Sequence, residues 1–237
     1  MKKLIYGKKV RVISDLMLAV IVAVVFAVGL SSQGVVPIYS DAFEAVYRGN
    51  VNAKNVSLMF NVYENADIVE KIVDTLDGYG ARATFFLGGC WADDNEKTLN
   101  KIAASGHEIA NHGYFHKDHK KLDYEGNKQE ISLTEKMVYA LCGVKTTLFA
   151  PPSGSFSDIT LSAASDLGYK VVMWSSDTID WRDTEEEKIF SRATKNLSNG
   201  ELVLMHPKEH TLNVLPRILE YYEANGFSVV PVGENII

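Results

Sequence analysis

The chain has 237 residues, a formal net charge of −6 and two cysteines, Cys90 and Cys142. Residues 1–15 carry five basic side chains and one acidic, so +4 sits at the start and −10 on the rest, which makes the main body a poor partner for nucleic acid or other polyanions. Two cysteines make no disulfide framework and lack zinc-ligand spacing; they read as small buried side chains, although in an exported protein they could pair.

In chain order, the basic residues Lys2, Lys3, Lys8, Lys9 and Arg11 precede an apolar run over 16–30. A positive flank followed by such a run is an export signal. The segment 1–30 is expected to be an uncleaved single-pass membrane anchor, with its basic end in the cytoplasm and the main domain outside. The alternative is a cleaved signal peptide and a secreted domain. Residues 31–54, polar and mixed with Gly34, Pro37, Gly49 and Asn50, read as a linker turning into a lead-in strand.

From residue 55 to 237, strand-like and helix-like segments alternate. Strands are predicted over 56–60, 83–87, 108–110, 146–149, 170–174, 201–205 and 227–231. Helices are predicted over 67–79, from an Asp94 cap to about 105, over 127–141, from Ser157 or Asp158 to 167, from Thr184 with Glu187 in a capping box to about 199, and over 212–225. The strands are near-continuous apolar runs, as expected where both faces are covered. The pattern is α/β, and a doubly wound sheet or a barrel satisfies it. About 180 residues is small for a closed eight-unit barrel of roughly 250. The prediction is therefore a distorted, incomplete (β/α) barrel of about seven parallel strands.

Function in such barrels gathers at the carboxyl ends of the strands. Those ends carry Asn61 and Glu64, then Gly88 and Gly89, then His112 and His116, then the stretch from Ala150 through Pro152 to Gly154, then Asp177, Asp180 and Trp181, and last His206. His112 and His116, four apart, would project side by side from one helical turn and close on a divalent cation; imidazole suits zinc. The same residues would also suit a solvated histidine-rich loop, since His107 and His119 lie close by.

From about residue 47 to 237 the sequence resembles the polysaccharide deacetylases, carbohydrate esterase family four, which remove N- or O-acetyl groups from chitin, peptidoglycan or xylan. The carriers are Ala83-Thr84-Phe85-Phe86-Leu87-Gly88-Gly89, Gly106-His107-Glu108-Ile109-Ala110-Asn111-His112 with His116, Asp180-Trp181, and Leu202-Val203-Leu204-Met205-His206. The resemblance implies that His112 and His116 are metal ligands, that His206, paired with Asp180, is the general acid, and that Leu204 lines the acetyl pocket. It also implies an acetylated glycan, peptidoglycan or a chitin-like polymer, as partner.

Two departures stand out. The family places two aspartates after Phe60, a general base and then a metal ligand; here those positions hold Asn61 and Val62. The arginine that orients the base is replaced by Ala150. An amide does not take up a proton as a carboxylate does, and valine ligates no metal. Glu64 is the carboxylate nearest the missing pair, expected to serve as third ligand or as base, or merely to cap the following helix; Asp177 is a further candidate base. Asn61, Tyr114, Pro152, Trp181 and Leu204 are expected to contact substrate. The expected activity is zinc-dependent release of acetate; the alternative is an inactive, membrane-anchored glycan-binding relative.

Overall fold

The computed structural model describes residues 44–237, together with Met17, Ala19 and Val20. The chain divides into two units, 1–42 and 43–237. Apart from those three residues, which are helical, the apolar run 16–30 lies outside the described residues, as does most of the 31–54 linker. Among the described residues no helix is long and apolar enough to cross a membrane.

The elements of the second unit run β1 (Asn55–Val62), α1 (Ala66–Gly78), β2 (Thr84–Leu87), α2 (Gly89–Asp94), α3 (Glu96–Ala104), β3 (Glu108–Asn111), α4 (Tyr124–Cys142), β4 (Leu148–Phe149), α5 (Asp158–Asp166), β5 (Lys170–Val171), β6 (Ser176–Asp177), α6 (Glu186–Thr194), β7 (Glu201–Met205), α7 (Glu209–Ala224), β8 (Ser228–Val229) and α8 (Val232–Asn235). Every strand pair is parallel, in the order β5-β4-β3-β2-β1-β7-β6, with β8 paired to the start of β1. Strands β5 and β6 are the two ends of this order, so the curled sheet forms the expected distorted, incomplete barrel. Val46 of the lead-in segment bonds alongside β5, its N–H donating to Val171 O at 2.9 Å.

Strand β1 shows why the apolar runs are continuous. Its alternate residues Val56, Leu58, Phe60 and Val62 join the main core with Ile68, Ile72 and Leu76 of α1 and Leu215 and Ile218 of α7. Met59, on the other face, packs inside the barrel with Phe86, Ala110, Leu148, Ala150 and Leu202. A strand alternates faces at each residue, and here both faces are covered.

Several predicted boundaries move for local reasons. The helix expected from an Asp94 cap starts one residue later: Asn95, at φ −132° and ψ 43°, is its N-cap, and Asp94 instead ends a separate short helix, Gly89–Asp94. Glu187 makes no capping box: α6 starts two residues after Thr184, and the Glu187 carboxylate reaches Arg217 on α7 instead. Asp123 caps α4 by accepting from Gly126 N–H at 2.8 Å, which starts that helix earlier than expected. The strand expected over 170–174 is shorter, ending at Val171, and Ser176–Asp177, just beyond the expected run, forms a further strand against β7. Cys90 and Cys142 are unpaired and only half-buried rather than core residues. Their thiols lie 2.7 Å from the Tyr63 hydroxyl and 3.2 Å from the Val138 carbonyl respectively.

Candidate active site

A cavity of about 510 Å³ opens at the carboxyl ends of the strands. The period of two along β1 carries Asn61 onto this floor and sends Val62 the other way, into the main core. His112 enters from the end of β3, Asp177 from β6, and Leu204 and His206 from β7 and just beyond.

His112 and His116 do come together, with ring centroids 5.2 Å apart, but not on a helical turn. Gly113 has φ +74° and His116 φ +53°, so the backbone is a loop bounded by two left-handed residues rather than a helix. That loop is pinned from beneath by Glu130 on α4. The nearly fully buried carboxylate accepts from Phe115 N–H at 2.8 Å and pairs with Lys117 Nζ at 3.0 Å. Nothing in the sequence around the histidines points to Glu130, which lies more than ten residues away on a helix.

The buried His112 ring donates Nδ1–H to Ala150 O at 2.7 Å, which leaves a lone pair on Nε2. Burial first, and then the neighbouring His116, depress its pKa to about 3; His116 is lowered too, again chiefly by burial. Both rings are therefore neutral at pH 7, with lone pairs to offer.

At the other wall His206 is held twice by the buried carboxylate of Asp180. Its backbone N–H donates to Oδ2 at 2.7 Å and its ring Nδ1–H to Oδ1 at 2.8 Å. Thr211 adds a hydroxyl donation to Oδ2 at 2.7 Å, and the His210 ring bonds the Asp180 backbone carbonyl at 2.8 Å. With Nδ1 occupied, Nε2 is the His206 atom left for the cavity. A charge-bearing acceptor that fixes ring and tautomer is what a histidine proton donor requires.

Other expected residues are placed differently. The Glu64 carboxylate is taken by Lys208, across the cleft mouth, in an ion pair reinforced by Asn65 Nδ2 donating to Pro207 O at 2.9 Å. It lines the cavity without joining the histidines. Among the described residues no three His, Cys, Asp or Glu side chains gather into a metal-ligand set. His112 has the free lone pair, and the ring N–H tied to a backbone carbonyl, of a metal-ligating imidazole, but Val62 is in the core, Glu64 is on Lys208, and Asn61 is a neutral amide. Two imidazoles are one ligand short of a catalytic zinc site, so the donor set does not fit that centre as it stands. Trp181 and Leu204 line the cavity as expected. Tyr114 and Pro152 do not: the Tyr114 ring packs over Gly89 and against Phe115, and Pro152 is buried beside Gly113. In their place stand Tyr63, Trp174 and Ser153. Tyr63 was legible, since it lies two residues beyond Asn61 and thus on the same face.

The chain belongs to the polysaccharide deacetylase family: the family model of that description matches residues 48–172. It is 34% identical over 191 residues to the uncharacterized protein YlxY of Bacillus subtilis, an alignment covering 81% of this chain and 60% of that one. It is 28% identical to a peptidoglycan-N-acetylglucosamine deacetylase of Bacillus cereus, over 78% of this chain and 70% of the relative. The chain thus spans between 60% and 70% of the length of these relatives. Among solved structures, a CE4 family pseudoenzyme from Bacillus anthracis superposes with a TM-score of 0.79 at 32% identity, over 81% of this chain and 68% of its own. A mutant of that pseudoenzyme is described as having restored enzymatic activity.

Proposed function

We propose that this cleft takes up acetylated sugar residues of a cell-wall glycan, peptidoglycan foremost, and that it releases acetate slowly or not at all. The carrying observation is the pairing of what is kept with what is gone. The cavity, Leu204 and the His206–Asp180 dyad persist, while an amide stands at the base position and the metal-ligand position has turned into the core. The likeness to a peptidoglycan deacetylase supports the ligand class, and the likeness to a pseudoenzyme supports the loss of hydrolysis.

A working zinc-dependent deacetylase, hydrolysing the carbon–nitrogen bond of an acetamide, is the second reading. The dyad favours it, as do the two carboxylates, Asp177 and Glu64, that line the cavity. On that reading His112 and His116 would hold a zinc ion able to supply Lewis-acid chemistry, a carboxylate would take a proton from water, and His206 would protonate the leaving amine. Glu64 would first have to leave Lys208.

Residues 1–30 are proposed to hold the domain at the outer face of the membrane, on the strength of the basic flank and the apolar run. Acetate release from chitin oligomers and peptidoglycan, with zinc and with chelator, alongside calorimetric binding of the same glycans, separates the two readings. Binding without acetate supports the first; acetate that needs zinc supports the second.

A further inference from the structure

We infer that the cleft reads a free amine on the glycan: a sugar residue that carries an ammonium group, its N-acetyl group already removed, binds there more tightly than its acetylated counterpart. This rests on the reading that the cleft holds sugar residues of a glycan, and goes beyond it by assigning the state of the sugar nitrogen.

Three aromatic side chains line the cavity: Tyr63, Trp174 and Trp181. Tyr63 offers its ring rather than its hydroxyl, which lies 2.7 Å from Cys90 Sγ. Two carboxylates stand among these rings, and no lysine or arginine side chain lines the cavity with them. Glu64 is already matched by Lys208 at the mouth. Asp177 is not matched: its Oδ1 accepts from the Ile179 N–H at 2.7 Å, and among the described residues it joins no ion pair. Arg182, which lies over the Trp181 ring, is drawn off by Asp183 through bonds of 2.8 and 3.1 Å. On the opposite side His112, its Nδ1–H spent on Ala150 O, presents the Nε2 lone pair.

A carboxylate without a counter-ion beside apolar walls is poorly compensated, and aromatic faces attract cations. An ammonium group supplies the missing charge and three donors, enough for the Asp177 carboxylate and a ring-nitrogen lone pair together. An acetamide supplies one N–H and no charge. A complete metal-ligand set would bring a divalent cation to compete for the same negative charge; here Val62 has left that set for the core. The ligand so defined is made by hydrolysis of an acetamide on the glycan, in which water cleaves the carbon–nitrogen bond and leaves acetate and the free amine. The cleft therefore acts downstream of a de-N-acetylating hydrolase.

Isothermal titration of the full chain in detergent, with chelator and at physiological ionic strength, tests this with two ligands on one backbone: the β-1,4 tetramer of N-acetylglucosamine, and the same tetramer with one N-acetyl group removed. A single amine keeps the second ligand from acting as a polycation. It should bind about 10-fold more tightly or better, the combined worth of a charge-assisted hydrogen bond and a cation–π contact. Asp177→Asn keeps the side chain's shape and its bond to Ile179 N–H; it should bring the two affinities to within about 3-fold while the fully acetylated tetramer, which reports an intact cleft, binds as before. Trp181→Ala, at an exposed position, should lower the preference by about 2- to 5-fold. Equal affinity, tighter binding of the fully acetylated tetramer, or a preference that survives both substitutions overturns the inference and leaves the glycan-binding reading standing; in the last case the general acidity of the chain accounts for the attraction. Failure of both tetramers to bind overturns the two together.

Discussion

Val62→Asp returns the missing ligand type to its place in the chain, and the structure sets its cost. Val62 is fully buried in the cluster built by Phe60, Ile68 and their neighbours. Losing that side chain from the core forfeits about 1.5–3 kcal/mol. A carboxylate left there unpaired adds several kcal/mol more, reduced to the extent that it protonates or turns toward the cavity. A net loss of roughly 4 kcal/mol in chelator is therefore expected, which for a chain of this size lowers Tm by about 8–16 °C. If the new carboxylate swings to His112 and His116, three ligands are assembled, and zinc at a hundred times its Kd returns about 2.7 kcal/mol. Differential scanning fluorimetry of both proteins, in chelator and across a zinc titration, reads all of this. The variant should melt far below the parent in chelator and regain much of the difference with zinc, while the parent shifts little. An unchanged Tm in chelator would show that position 62 is not committed to the core. An equal zinc shift in both proteins would show that the two histidines hold metal without a carboxylate from β1, and the account of the missing ligand would fall.

Three further outcomes follow from the packing and the charges. Glu201 is buried and holds Arg48 of the lead-in segment at 3.2 Å, with Ser176 Oγ at 2.6 Å and Ser198 Oγ at 2.9 Å; Glu201→Ala should cost about 2–4 kcal/mol in urea unfolding and speed hydrogen exchange at residues 44–50, and unchanged exchange there would refute the clamp. A side chain at Gly88 would run into the Tyr63 ring that lines the cavity, so Gly88→Ala should destabilise by about 1–3 kcal/mol and weaken glycan binding; retained affinity would remove Tyr63 from the site. His107, His112 and His119 all have pKa values lowered chiefly by burial, so their contribution to stability is complete above the unfolded value near 6.5 and is lost as pH falls below it, down to about 3 for His112; Tm should decline from pH 7 to 4, and His112→Gln should flatten that decline.

The sheet was legible because β1, β2 and β7 are near-continuous apolar runs, as strands covered on both faces are. The two-residue strands β4, β5, β6 and β8 were blurred for the opposite reason: too short to show a period, they are defined by their partners rather than by their own residues. In the site, His112, His206, Asp180 and Trp181 were readable from chain order, because each follows a strand whose carboxyl end must face the cleft, whereas Leu204 came from the family resemblance. The path between His112 and His116 was not. Spacing by four suggests a helix only if the intervening backbone is helical, and of the two positive φ angles only the one at Gly113 falls on a residue type that hints at it; the one at His116 does not. Glu64 was misplaced by the same limit. Its nearness to Asn61 in sequence is real, but a carboxylate at a strand end answers to whatever charge the neighbouring loop presents, and the loop after β7 presents Lys208.

The arrangement of losses also bears on which reading of the cleft is the economical one. A base, the arginine that would orient it and a metal ligand serve a single step, the activation of water, and all three are absent: Asn61 offers an amide, Ala150 is packed among apolar side chains, and Val62 is core. The groups that survive serve other ends as well. Leu204 shapes a pocket, Trp181 stands 54% exposed at its rim, and the His206–Asp180 pair, bonded also to Thr211, ties the end of β7 to the loop before α6 and so supports the cavity wall whether or not a proton is ever transferred. A side chain that only activates water has no purpose once its partners are gone, whereas one that also shapes the cavity keeps its purpose in a protein that merely holds the glycan. That asymmetry favours the proposed glycan-holding reading of the cleft over the hydrolytic one.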